Sequence, residues 1–110
     1  HGPGTSMNDE AAAHAYSRFF GDGWRTPRMS STTAIIGHTL GAAGAIEAVF
    51  SILALRTGRL PPQWNSEEPL SEVEQALVWP RESSGPYDHT MTVNVGFGGS
   101  NAALVFSRYG

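Results

Sequence analysis

The chain has 110 residues, a formal net charge of -3, and 40% hydrophobic against 15% charged residues. That suits one domain with enough apolar material for a core, and excludes both a two-domain enzyme carrying its own cofactor module and a highly charged disordered tail. The seven basic residues are all arginine, so no lysine is present for Schiff-base chemistry, and the acidic balance (pI ≈ 5.7) argues against a nucleic-acid face.

In chain order, His1-Gly2-Pro3-Gly4-Thr5-Ser6 has neither a basic n-region nor an apolar h-region, so it does not read as a signal peptide. A tag remnant is its other reading. A helix is predicted over 9–20, capped by Asn8 or Asp9, with acidic residues in its first turn and Gly21 past its end. Ala12, Tyr16, Phe19 and Phe20 fall at helical spacing and form its expected buried stripe. Gly21-Asp22-Gly23 reads as a turn, and 28–32 as a short, weak strand.

A second helix is predicted from Leu40 or Ala42 through Arg56, closed by Gly58. It is apolar nearly all round (Ile46, Val49, Phe50, Ile52, Leu53, Leu55), so protein should cover it on more than one side. Gly41, Ala42, Ala43, Gly44 and Ala45 make its first turns thin enough for close approach of another backbone. Its one strongly polar residue before Arg56, Glu47, needs a partner, because burying a lone carboxylate is costly. The apolar run over 42–55, interrupted by Glu47 and Ser51, is too short to span a bilayer. Leu60-Pro61-Pro62 is an extended connection, 67–76 an acidic turn or short surface helix, and 81–86 a polar loop. The last third reads as a hairpin: Met91, Val93 and Val95 alternate with Thr90, Thr92 and Asn94, 96–100 is the turn, and 102–106 returns.

Cysteine is absent, so the chain offers no disulfide, thiolate nucleophile or CxxC zinc site, which is compatible with a reducing cytosol. His1 and His38 each sit in a glycine frame that lets a ligand come near the ring. Two imidazole N–H groups converging on one point can stabilise a developing oxyanion; the plainer reading is a loose N-terminal histidine and a histidine packed at a helix start. Gly96-Phe97-Gly98-Gly99 has a strand after it rather than a helix, which argues against a dinucleotide loop. It reads either as a tight hairpin with Phe97 packed inward, or as a backbone N–H held near a reacting carbonyl with Phe97 as a movable wall. Glu10 and His14 share a helix face as a surface pair, with no metal site implied. His89 has no evident role. Trp24, Trp64 and Trp79 look like packing anchors.

Three motifs stand in order: His1-Gly2-Pro3-Gly4-Thr5 with Asn8-Asp9; Ser30-Ser31-Thr32 leading to Gly37-His38-Thr39-Leu40-Gly41-Ala42-Ala43-Gly44-Ala45-Ile46-Glu47-Ala48; and Asn94-Val95-Gly96-Phe97-Gly98-Gly99-Ser100-Asn101-Ala102. Together they resemble the C-terminal portion of a β-ketoacyl-acyl carrier protein synthase of the elongating type. The resemblance spans almost the whole chain, and the place of His1 ahead of Asn8-Asp9 favours native sequence over a tag.

The resemblance implies an α/β fold: the C-terminal half of a thiolase-like layered structure, with a mixed sheet packed on a buried apolar helix and a closing β-hairpin. Residues 1–110 are then a partial C-terminal synthase domain. It also implies decarboxylative Claisen condensation in fatty-acid or polyketide biosynthesis. His1 and His38 align with the catalytic histidines, and Phe97 with the gating phenylalanine, its backbone N–H with Gly98 beside the oxyanion site. Glu47, Thr33 and Asn94 stand as supporting residues, and Thr5 lines the pantetheine channel. No cofactor or metal is implied, since substrates ride on the phosphopantetheine of an acyl carrier protein. The expected partners are that carrier, the N-terminal half of the same synthase and a second copy of the parent, in the cytoplasm, with no nucleic acid or membrane.

Three departures stand out. Thr33 replaces the family's lysine, Pro3 a threonine, and Val95 a common phenylalanine. The family's nucleophilic cysteine belongs to the N-terminal half, so the isolated chain is expected to be inactive. The competing reading is a non-catalytic, chain-length-factor type subunit or a degenerate homologue.

Overall fold

The computed structural model describes residues 1–2, 4–21, 27–70, 73–74, 76–80 and 85–110. Pro3, Trp24, most of the 21–23 turn and most of the 81–86 loop fall outside them, as does part of the acidic segment over 67–76.

Helix α1 runs Ser6–Phe20, one turn earlier than the charge pattern predicts. Thr5, extended at φ -98°, is the residue before it, and the first helical bond runs from the Asp9 N–H to the Thr5 carbonyl at 2.9 Å. Asn8 and Asp9 are therefore first-turn residues rather than caps, where an acidic side chain still suits the helix dipole. Only Ala13 is buried on this helix; Ala12, Tyr16 and Phe20 are half-buried. Phe19 is 78% exposed and touches the Phe20 ring edge-on, so it leaves the predicted stripe.

The predicted strand over 28–32 reduces to one parallel bridge, Met29 to Leu77. Around it lie the buried Ala76, Leu77, Val78, Thr32 and Gln63. Helix α2, Thr33–Ile36, follows directly and was not foreseen. A single turn of helix is too short for a periodic signal.

A 3-10 turn, Leu40–Ala42, leads into α3, Ala43–Thr57, which closes on Gly58 in the left-handed conformation (φ 70°), its N–H donating to Ala54. This matches the expected helix and stop. Strands β1 (His89–Val95) and β2 (Asn101–Ser107) form an antiparallel pair in the register Met91 to Val105 and Val93 to Ala103. α3 packs along this hairpin. The observed architecture is thus α/β, with a helix on a two-stranded antiparallel sheet; among the described residues the one parallel contact is the isolated bridge at Met29.

Strand β1 turns its polar side toward α3, and its β2 partners on that side, Ala102, Leu104 and Phe106, are apolar. Thr90 donates to the Ser51 carbonyl (3.1 Å), while Thr92 and Asn94 donate to Glu47. Met91, Val95 and Val105 lie on the other side, with Val105 65% exposed. Alternation in a strand puts successive side chains on opposite faces, and in β1 the apolar set is on the side away from α3, with Met91 and Val95 exposed and Val93 half-buried.

α3 is likewise open along part of its surface, with Val49 56% exposed and Ile52 and Leu53 also exposed. Cover on more than one side is not supplied by the described residues. With its 3-10 turn, Leu40–Thr57 is 18 residues of mean hydropathy 1.5, enough by length and composition to cross a membrane and longer than the run predicted over 42–55. Glu47, bonded to two strand residues, and Arg108, whose guanidinium donates to the Leu55 carbonyl at 2.9 Å, tie it to the hairpin as a core helix is tied.

Candidate active site

Two loops bring His1 and His38 together. The His1 carbonyl accepts hydrogen bonds from the Ser31 hydroxyl at 2.8 Å and the Thr33 hydroxyl at 3.1 Å, and Ser31 also reaches the Gly2 carbonyl at 3.1 Å. Gly2 makes this approach feasible. Its φ is +57°, and a Cβ there would stand 2.8 Å from both Cβ and Oγ of Ser31, so a side chain meets both backbone strain and a clash. On the other side, Gly37 (φ 79°) ends α2 and releases His38 into the turn before α3.

The two imidazoles lie 5.2 Å apart between ring centres, at 87° to each other. His38 has a defined tautomer. The Leu40 N–H donates to its Nδ1 at 3.0 Å. A backbone N–H can only donate, so Nδ1 is the unprotonated nitrogen and the neutral ring carries its proton on Nε2. Leu40 adopts φ 52°, an unfavourable region for a branched side chain; this conformation accompanies the bond that sets the tautomer. His1 is half-buried and His38 exposed; Nδ1 of His1 is enclosed, with no hydrogen-bond partner among the described residues.

Glu47 sits on α3 facing β1. Its Oε2 accepts from Thr92 Oγ1 and Asn94 Nδ2, both at 2.8 Å. The partner that a half-buried carboxylate requires is thus a hydroxyl and an amide, bonds to a charged group worth about 1.5–3 kcal/mol each. Gly44, one turn earlier, leaves room for Asn94, whose Oδ1 would lie 3.1 Å from an added Cβ. The thin face of α3 therefore admits a strand side chain. Tyr16, on α1, has its hydroxyl pKa raised above the usual phenol value, first by burial and then by the negative charge of Glu47.

Phe97 and Gly98 are placed differently. Gly96 N–H donates to the Ser100 carbonyl at 2.7 Å, and Gly98 (φ 80°) and Gly99 (φ 83°) take conformations suited to glycine. The tight turn is as expected. Phe97 is 98% exposed, so neither the inward-packed ring nor a wall beside the histidines is formed by the described residues. Thr5 is exposed before α1 and makes no side-chain capping bond. A groove of about 440 Å³ lined by Ile52, Leu55, Phe106 and Arg108 lies at the end of the hairpin away from Phe97, and neither histidine lines it. Glu10 and His14 are exposed, while His89 Nδ1 pairs with Ser107 Oγ across the strands at 2.9 Å.

Sequence reasoning missed Gln63, Thr92 and Tyr16. Gln63 is buried; its Oε1 accepts the Ser31 N–H at 2.8 Å. Only the alternation across β1 pointed toward Thr92, by placing it on the same side as Asn94.

The pattern of the family described as Beta-ketoacyl synthase, C-terminal domain, matches residues 1–67, from His1 through α3 and into the segment after it. The chain belongs to the beta-ketoacyl synthase family. It is 41% identical over 109 residues to 3-oxoacyl-[acyl-carrier-protein] synthase 2 of Rhizobium meliloti (strain 1021), an alignment covering 99% of this chain and 26% of that protein. To the protein of the same name in Coxiella burnetii (strain RSA 493 / Nine Mile phase I) it is 40% identical over 108 residues, 98% of this chain and 26% of the relative. To that of Staphylococcus aureus (strain COL) it is 33% identical over 109 residues, again 99% and 26%. The chain thus spans about a quarter of the length of these synthases. Likeness to these synthases runs through the hairpin as well as through residues 1–67.

Proposed function

We propose that residues 1–110 form the C-terminal part of a 3-oxoacyl-acyl carrier protein synthase that condenses a malonyl thioester with an acyl thioester. The reading rests on one observation above the others: two imidazoles 5.2 Å apart, one of them with its proton fixed on Nε2. In the reaction the malonyl carboxylate leaves as carbon dioxide, and its bonding electrons pass into the thioester as an enolate. His1 and His38 donate N–H bonds to the enolate oxygen, and fixed donors aimed at developing charge supply much of such a rate enhancement. The enolate carbon then attacks the acyl thioester, forming the carbon–carbon bond and releasing the cysteine thiolate that held the acyl group. No residue of this chain can be that cysteine, so the chain by itself does not condense. The nucleophile belongs to the N-terminal part of the parent synthase.

In this reading α3 is the central helix of a thiolase-like layered fold. The N-terminal part covers its open side and the apolar outer side of the hairpin, and brings Phe97 and Gly98 to the acyl pocket. Thr5 faces the pantetheine of the incoming carrier. Glu47 and Asn94 hold α3 to β1 behind the histidines. Acyl carrier protein is the substrate-bearing partner, the parent works in the cytosol as a homodimer, and the chemistry needs no resident cofactor. Decarboxylation of malonyl-carrier by the full-length synthase tests the assignment. His38→Ala should lower its kcat by about 10²–10³-fold, the effect of losing one oxyanion donor. An unchanged rate would remove the mechanism.

A further inference from the structure

We propose that Gln63 is a positioning residue for His1, acting through Ser31 and supported by the Thr33 hydroxyl; the proposal rests on the condensing reading above. Gln63 is 9% exposed, an unusual place for an amide unless its polar atoms are satisfied. They are: Oε1 accepts the Ser31 N–H at 2.8 Å, and Nε2 donates to Ser66 Oγ at 3.0 Å and to the Trp64 carbonyl at 3.3 Å. Its main chain is held equally well. The Gln63 N–H donates to the Val78 carbonyl at 2.6 Å, and the Val78 N–H to the Met29 carbonyl at 3.0 Å, beside the buried run Ala76, Leu77 and Val78.

The same loop grips the histidine-bearing segment at a second point. Asn65, in a left-handed conformation (φ 55°), donates from Nδ2 to the Ala34 carbonyl at 2.9 Å. Residues 31–34 are thus clipped at both ends by 63–65. From this fixed platform Ser31 and Thr33 direct their hydroxyls at the His1 carbonyl, which has two lone pairs and receives two donors. Gln63 forms none of its hydrogen bonds with an imidazole, so it acts on His1 only through the backbone. Thr33 joins the clamp directly, as a neutral tether on the His1 carbonyl.

The experiment uses the full-length synthase and separates its two half-reactions. Acyl transfer to the cysteine reports folding and carrier binding; malonyl-carrier decarboxylation reports the histidines. Gln63→Met removes the amide at similar length, and Thr33→Val removes the hydroxyl at the same shape. Each should lower the decarboxylation kcat about tenfold at unchanged KM, short of the roughly hundredfold cost of a full 1 Å misplacement. Acyl transfer by Gln63→Met should stay at the wild-type rate, and Thr33→Ser should recover most of the decarboxylation lost in Thr33→Val because it restores the donor. Wild-type decarboxylation in both Gln63→Met and Thr33→Val overturns the clamp, as does a parallel fall of both half-reactions in Thr33→Val and Thr33→Ser. His1→Ala is the control for the underlying reading. If it too decarboxylates like wild type, the condensing assignment itself is wrong and the clamp falls with it.

Discussion

The corner around His1 and the face formed by α3 and the hairpin are built on opposite plans. At the corner, the ties are polar, short and internal: two hydroxyls on one carbonyl, a buried amide behind them, and a glycine where a Cβ has no space. On the face, Met91, Val95, Val105, Val49 and Leu53 are apolar and exposed. The corner carries the information that sets the two rings relative to each other. The face supplies surface that gains its stabilisation only when covered, about 25 cal/mol per Å² of apolar area. A chain can therefore fix the placement of two rings locally while leaving apolar surface open elsewhere.

The strongest way to break this contrast is at Gly2. Gly2→Ala puts a methyl group 2.8 Å from Ser31 at a φ of +57°. The His1 carbonyl must then leave its hydroxyls or Ser31 must move. Decarboxylation by the full-length synthase should fall by about 10²-fold, the cost of shifting a reacting group by 1 Å. Steady-state kinetics would check it, with acyl transfer as the internal control. A wild-type rate would show that the corner tolerates displacement and does not set geometry.

Glu47 lies inside the second region, where it ties α3 to the polar side of β1. Glu47→Leu leaves Thr92 Oγ1 and Asn94 Nδ2 without their acceptor. The expected loss is about 2 kcal/mol of unfolding free energy in the full-length protein, from stranded buried donors. Glu47→Gln keeps an oxygen acceptor and should lose less. Urea denaturation of both variants gives the comparison, and equal losses would point to charge rather than hydrogen bonding.

The element pattern was legible where a long apolar run, a two-residue alternation or a well-placed glycine marked it. α3 follows from its apolar run and the Gly58 stop, and the hairpin from the alternation in β1 and the glycines of the 96–100 turn. The histidine pair was visible as two glycine-framed rings, and the structure brings them together. Most of what sequence concealed depends on long-range contacts. The start of α1 is a local exception: the helix begins at Ser6 after an extended Thr5, with the Asp9 N–H bonded to the Thr5 carbonyl. Phe19 was read as buried from spacing alone, and is not. The alternation in β1 left its facing open, and the bonds of Thr92 and Asn94 to Glu47 put that side toward α3. Gln63 has no local mark at all; its importance comes from Ser31, 32 positions earlier.

A smaller effect sharpens the other half of the comparison. Val105 and Met91 are register partners on the uncovered side of the hairpin. Val105→Thr keeps the β-branched shape and removes apolar surface without opening a cavity. In the 110-residue chain it should change unfolding free energy by less than about 0.5 kcal/mol, as surface substitutions usually do. Fluorescence of a hydrophobic dye should fall. In the full-length synthase the same change should cost more, because the position is then covered. Equal effects in both would mean that this side faces solvent in the parent as well.

The finest test concerns Tyr16, which stands on α1 and reports on Glu47 without contributing to the chemistry. Burial raises its hydroxyl pKa above that of a free phenol, and the Glu47 carboxylate adds to the rise. Both causes penalise the phenolate. A spectrophotometric titration should therefore show a late phenol transition that belongs to Tyr16. Glu47→Gln should bring that late transition down part of the way, burial accounting for what remains. The sign for stability follows from linkage. Below the unfolded tyrosine pKa of about 10 both states hold the proton and the contribution is constant. Above it the unfolded chain loses the proton first, so stability declines with rising pH until the folded pKa is passed. If Glu47→Gln leaves the late transition where it was, Glu47 does not act on Tyr16 through its charge, and α1 is joined to the α3 and β1 network by packing alone.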